Sequence, residues 1–129
     1  MRINFDGMKP IYVQIADAVE DEIILGKLGE GEPAYSQLAL SREFNINPAT
    51  AARGINLLVQ KGVLKKQRGL SMTVAGGARQ RILEEKREKE FSEAVDALVE
   101  QARKIGLSED QVIAKIKAFF GAAERNRAI

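Results

Sequence analysis

The sequence predicts a mainly α chain with one small β-hairpin, in two parts, and three observations carry that prediction. Between Tyr35 and Val74, two short helix-patterned segments parted by Asn45-Ile46-Asn47 run into a basic hairpin. Before them, Ile11, Ile15, Val19 and Ile23 recur every four residues, the spacing of one helix face. After them, beyond Ala75-Gly76-Gly77, the chain turns highly charged and then takes up a 4-3-4-3 apolar rhythm. Helix, turn, helix and hairpin in that order make a winged helix-turn-helix, which offers one helix to a DNA groove. The expected division is a winged helix-turn-helix DNA-binding domain over residues 1–75 and a two-helix dimerisation tail over residues 76–129.

Each element follows from local chemistry. The first helix is expected over Pro10–Gly26, because proline suits a first helical position and Gly26, Gly29, Gly31 and Pro33 break the chain afterwards. The second runs from Ser36 to Phe44, with Leu38, Leu40 and Phe44 as its apolar candidates. Asn47 is placed to cap the third helix, Pro48 fits its first turn, and Gly62 fits the left-handed residue just past its end near Lys61. Ala51, Ile55, Leu58 and Val59 are expected to face inward. Val63–Lys66 and Met72–Ala75 are the expected strands. The Ala75-Gly76-Gly77 hinge signal then leads into a helix of about 29 residues, ~43 Å long at 1.5 Å per residue. Gly106 stops it, and Ser108 with Gln111 forms a capping box that opens the last helix.

Composition excludes several classes of function. The chain has 129 residues, 45% hydrophobic but only 5% aromatic and without Trp, so its core must be aliphatic. There is no Cys and no His. Disulfides, thiol nucleophiles, zinc sites of the Cys/His kind and any triad needing an imidazole are therefore out. Gly26-Lys27-Leu28-Gly29-Glu30-Gly31 lacks the phosphate-loop spacing and its Lys-Ser/Thr ending. The expectation is a non-enzyme with no cofactor and no bound metal. No segment looks like a secretory leader and no stretch approaches the ~20 apolar residues of a membrane span. A soluble, cytoplasmic chain is expected.

The net charge of +2 is less telling than its placement. Residues 1–32 hold three basic and seven acidic side chains, whereas residues 42–68 hold six basic ones against Glu43 alone. Cations on a reading helix and wing release counterions from DNA. The candidate DNA contacts are Ser36, Arg42, Asn47, Thr50, Arg53, Lys65, Lys66, Arg68 and Gly69. Ser36 stands at a helix start, where it serves a phosphate or caps the helix. Asn47 likewise reads a base or caps. Thr50 suits a thymine methyl, and Arg53 is the first choice for direct contact. Lys65, Lys66 and Arg68 are wing phosphate contacts, with Arg68 and Gly69 at the hairpin bend. The candidate dimerisation residues are Phe91, Val95, Leu98, Ala102 and Ile105 on one helix, and Val112, Ile116, Phe119 and Phe120 on the next. A two-helix pair cannot bury two broad apolar faces within itself. A second copy is the expected cover, and packing back onto the first domain is the alternative.

The ordered set Pro10-Ile11-Tyr12-Val13-Gln14-Ile15, Leu40, Phe44-Asn45-Ile46-Asn47-Pro48-Ala49-Thr50, Arg53, Leu58, Lys61-Gly62-Val63-Leu64 and Arg68-Gly69 resembles the GntR family of bacterial transcription regulators. The tail, ending Ala102-Arg103-Lys104-Ile105-Gly106-Leu107-Ser108-Glu109, is similar to that of its short YtrA-like branch. Larger members carry an effector domain of well over a hundred residues (some binding metal through histidines), and here residues 76–129 take its place. The resemblance implies a homodimer joined through its tails, binding a double-stranded DNA operator and often regulating a neighbouring transporter operon. Two departures stand out. Leu38 and Ala39 occupy positions where the family usually has Arg-Glu, and the wing reads Arg68-Gly69-Leu70-Ser71-Met72 in place of Arg-Gly-Arg-Gly-Thr. Phosphate contacts are therefore expected to carry most of the affinity. A repressor is the expected role, a protein–protein adaptor the competing one, and an effector is left undetermined.

Overall fold

The computed structural model describes residues 3–67 and 72–127, the side chains of the last two excepted. By packing, the chain forms two units, residues 1–86 and 87–129.

The first unit holds α1 (Ile11–Ile24), α2 (Gln37–Phe44), α3 (Pro48–Gln60), β1 (Leu64–Lys65), β2 (Thr73–Val74) and α4 (Ala78–Glu85). Its core is aliphatic, as the composition requires. Ile15, Val19 and Ile23 of α1 meet Leu40, Ala51, Leu58, Val63, Val74 and Ile82, all within a few percent of full burial. Ile11 packs half-buried at the edge of the same cluster. Before α1, the Gln14 side chain anchors the incoming segment, donating to the carbonyls of Asn4 and Lys9, both at 2.9 Å, and accepting from the Asn4 N–H at 2.7 Å.

Asn45 turns the chain between α2 and α3 in the left-handed region at φ 52°, and the Ile46 N–H closes back on the Ser41 carbonyl at 3.0 Å. An αL residue followed by such a bond ends a helix sharply. α3 ends the same way, with Gly62 at φ 76° and the Val63 N–H on the Leu58 carbonyl at 2.9 Å.

The wing strands are antiparallel, with Leu64 opposite Val74 and Lys65 opposite Thr73. They are shorter than the sequence suggests, by one residue at each end. Residues 31–34 add a third edge. The Gly31 N–H bonds the Val74 carbonyl at 2.8 Å, the Ala34 N–H bonds the Met72 carbonyl at 2.7 Å, and Pro33 faces Thr73.

Three expectations change here. Val59, expected inward, is 36% exposed, and Leu38, an apolar candidate of α2, is 55% exposed. The inward register of α3 is taken instead by Gly54 beside Ala51, Ile55 and Leu58. The first unit also continues past Ala75, because Ala78 and Ile82 of α4 lie in its core. Gly76-Gly77 is a turn within that unit. Finally, the long helix is not α throughout. α4 gives way to one π-helical turn at Lys86–Glu90, and α5 (Phe91–Lys104) follows.

The second unit is an αα-hairpin of α5 and α6 (Glu109–Arg127). Gly106, at φ 75°, allows the Leu107 N–H to reach the Ala102 carbonyl at 2.9 Å. The capping box forms as expected. The Ser108 N–H bonds Gln111 Oε1 at 2.9 Å, and the Gln111 N–H bonds Ser108 Oγ at 3.2 Å. Ala102 is buried and Val112 half-buried inside the hairpin. Phe91, Val95, Leu98, Ile105, Ile116, Phe119 and Phe120 are 40–69% exposed, Phe119 the most at 69%. Of these, Leu98, Ile105, Ile116, Phe119 and Phe120 line, with Val112, an apolar groove of about 410 Å³. Among the described residues no helix is long and apolar enough to cross a membrane.

Candidate nucleic-acid interface

The candidate interface centres on α3, and what fixes α3 comes first. Its amphipathic pattern turns Ala51, Ile55 and Leu58 inward, while Gly54 lets it approach α1 closely. A Cβ at position 54 would stand 3.0 Å from Ile15 Cγ2 and 3.1 Å from the Tyr12 carbonyl oxygen. The C-terminal end is held ionically. Lys61 Nζ lies 2.9 Å and 3.2 Å from the two Glu20 carboxylate oxygens, and 3.3 Å from Glu85 of α4. Glu20 is only 2% exposed. Burial pushes its carboxyl above the usual value, and the bond and charge of Lys61 offset this in part. Burial pulls the Lys61 ammonium down, but Glu20 and Glu85 outweigh it and leave the value raised. Arg81 of α4 completes the seat, with Nη1 donating to the Gly62 carbonyl at 2.6 Å. A cation there satisfies an orphan acceptor at the negative end of the helix dipole.

Held this way, α3 turns Ala49, Arg53, Asn56 and Gln60 to solvent as a ridge. Two shallow hollows flank it. One, about 260 Å³, lies toward α2 and the wing and is lined by Tyr35, Ser36, Gln37, Ala52, Asn56 and Lys66, among others. The other, about 250 Å³, lies toward α1 between Tyr12, Arg53, Asn56, Leu57 and Gln60. Asn56 lines both. Tyr35 is fixed at the first hollow by its hydroxyl, which donates to Glu22 Oε2 at 2.5 Å. That bond, together with burial and the Glu22 charge, pushes the phenol up to about 12.

The residues expected to touch DNA distribute around this ridge. Arg53 stands on it, its guanidinium 4.1 Å from the centre of the Tyr12 ring. Thr50 is half-buried to one side. Asn47 caps α3, Oδ1 accepting from the Ala49 N–H at 2.8 Å, and Ser36 caps α2, Oγ accepting from the Ala39 N–H at 3.0 Å. Both side chains remain exposed. Arg42 is exposed in the last turn of α2, and Lys65 and Lys66 are exposed on the wing. Arg68 and Gly69 lie outside the described residues. Sequence reasoning missed Asn56, Gln60 and Tyr12. The signal for Asn56 was available, since it follows Arg53 by three residues on the same outward face.

No family model matches the chain. The uncharacterized HTH-type transcriptional regulator YhcF of Bacillus subtilis is 28% identical over 116 residues, which is 90% of this chain and 94% of YhcF. A solved structure of a putative GntR-family transcriptional regulator from Bacteroides thetaiotaomicron is 29% identical, with a TM-score of 0.72, covering 88% of this chain and 99% of that one. Over most of its length the chain is similar to GntR-family transcriptional regulators. The likeness to YhcF and to the Bacteroides regulator takes in nearly their whole lengths. A more local match is the Escherichia coli mannosyl-D-glycerate transport/metabolism system repressor MngR, 33% identical over 63 residues, with 26% of MngR covered. The DNA-binding domain of AraR, solved in complex with an operator, matches 58% of this chain at 25% identity and a TM-score of 0.53.

Proposed function

We propose that the chain is a homodimeric repressor that binds a two-fold-related operator through α3 and the wing. The observation that carries this is the α3 ridge. Arg53, Asn56 and Gln60 form an exposed line of donors and acceptors, with the α2 N-terminus and Lys66 across the hollow on one side and Tyr12 of α1 across the hollow on the other. A ridge of that kind fits the ~12 Å major groove, where Arg, Asn and Gln have edge-specific partners. Ser36, Arg42, Asn47, Thr50, Lys65, Lys66, Arg68 and Gly69 serve as backbone and base contacts around it. AraR's operator complex and MngR's repressor role support the reading.

The dimer rests on α5 and α6, whose exposed apolar side chains are covered by the same face of a second copy. C₂ pairing is the commonest closure. A footprint on DNA upstream of the chain's own gene tests the whole. The expected result is two protected half-sites about one helical turn apart, ~34–36 Å or a multiple of it. Protection of one half-site with no dyad runs against it.

One observation favours a second reading. Leu38, 55% exposed on α2, is an apolar contact residue where DNA binders of this family carry a charge. A protein adaptor would use it. Salt titration of DNA binding separates the two, because a DNA reader loses affinity steeply with salt and an adaptor has no such slope.

A further inference from the structure

We propose that Tyr12 of α1 is a positioning residue that makes Arg53 a guanine reader instead of a mobile phosphate contact. The inference rests on the DNA-binding reading above and sharpens it. A free arginine on an exposed helix face samples many rotamers and finds phosphates easily, because it acts there mainly as a charge. Arg53 is not free in that sense. Its guanidinium carbon stands 4.1 Å from the Tyr12 ring centre, within the range of a cation–π stack. Stacking engages the flat π face of the guanidinium. A guanidinium held by its flat face keeps its N–H donors in its own plane, in the fork that matches a bidentate acceptor. In the major groove that acceptor is guanine, through O6 and N7.

The platform itself is rigid. Tyr12 lies in the first turn of α1, and its carbonyl is in the close approach that Gly54 permits, 3.1 Å from where a Cβ would be. The ring therefore rides on the close α1–α3 approach of the helix that carries Arg53. Asn56 and Gln60 share the hollow with the stacked pair. They stand one and two turns further along α3, spaced to meet neighbouring bases.

Selection of binding sites from a randomised DNA pool, followed by affinity measurements at several salt concentrations, tests this. The variants are Tyr12→Phe, Tyr12→Leu and Arg53→Ala, each checked for folding by thermal melting. The unsubstituted chain and Tyr12→Phe should share one strongly preferred G·C pair per half-site. Tyr12→Leu and Arg53→Ala should both lose about tenfold of that preference at the same base pair. For Tyr12→Leu, random-DNA affinity and the salt slope should be unchanged. A Tyr12→Leu variant that keeps the G·C preference overturns the proposal. So does one that weakens cognate and random DNA equally, since that is what a merely structural tyrosine would do. Failure of the unsubstituted chain to bind any DNA is a different result, and it removes the regulator reading itself.

Discussion

Lys61 holds two carboxylates at once, and the consequences of removing it differ with pH. Glu20 is buried, so without Lys61 its ionised form loses its hydrogen-bonded partner, keeps only the weaker pull of Lys86, and the folded state is penalised. Lys61→Met should cost about 3 kcal/mol of stability at pH 7. A raised carboxyl pKa means that the folded state binds its proton more readily than the unfolded one, so stability falls as pH rises from the usual 4.5 through the raised value. The deficit of Lys61→Met should therefore shrink on acidification, and Glu20→Gln in the same chain should recover most of it. Lys61 has the opposite edge. Its raised value makes its contribution complete below 10.5 and lost as pH climbs past the raised value, so only chains retaining Lys61 should show that alkaline loss. Urea melts from pH 5 to 11 decide this, and a deficit that stays constant with pH would sink the account. Gly54 poses a question of sign. Helix propensity alone makes Gly→Ala stabilising by about 0.5–1 kcal/mol. Here the new methyl meets Ile15 and the Tyr12 carbonyl at 3.0–3.1 Å, tighter than nearly all real contacts, and one of the two is backbone. Overpacking of that kind costs about 1–3 kcal/mol, so Gly54→Ala should lower the melting temperature.

At the scale of elements, what the sequence made legible was local chemistry. The caps at Ser36, Asn47 and Ser108, the turn at Asn45 and the stop at Gly106 all lie where short-range hydrogen bonding puts them. What it hid was tertiary. Val59 lies on the apolar side of a loosely drawn wheel, but α1 crosses α3 at Gly54 and leaves Val59 in solvent. Glu20 sits in a row of acidic residues and reads as surface until Lys61 is brought to it from a distant part of the chain. α4 reads as the start of a charged rod, yet its one buried stripe, Ala78 and Ile82, belongs to the first unit's core. Its arginines cap the ends of other helices, Arg79 on the Ile24 carbonyl and Arg81 on that of Gly62. The ridge was half legible. Arg53 was read from its type and position, whereas Tyr12 required knowing that α1 passes beside α3. The wing carries its own prediction. Lys65 ends β1, Lys66 follows it, and both side chains are exposed. Lys65→Ala with Lys66→Ala should weaken operator and random DNA alike, and lower the salt slope by about one unit per lost phosphate contact. A loss confined to the operator would make the wing a base reader.

At the scale of the whole molecule, the question is what covers the α5–α6 face. Leu98 is 40% and Phe119 69% exposed within a single chain, while Ala102 supplies the hairpin's own buried contact. Aspartate at positions 98 and 119 therefore meets water in a lone hairpin and should leave it folded. In a dimer closed over the same groove, each aspartate would be taken out of water, a cost of several kcal/mol per charge that Lys115, lining the groove, offsets only in part. The C₂ operation brings each substitution into the interface twice. Leu98→Asp with Phe119→Asp should thus give folded monomers by sedimentation, with helical content unchanged. DNA binding should follow. Two linked reading units bind a two-fold site with an effective concentration that a separate unit lacks, worth 10²–10⁴-fold in avidity for flexible links. The monomers should lose affinity for the full operator on about that scale, and should bind an isolated half-site as well as the unsubstituted chain binds it. A double variant that still sediments as a dimer would place the interface elsewhere. One that is monomeric yet binds the full operator undiminished would show that the two half-sites are not read together.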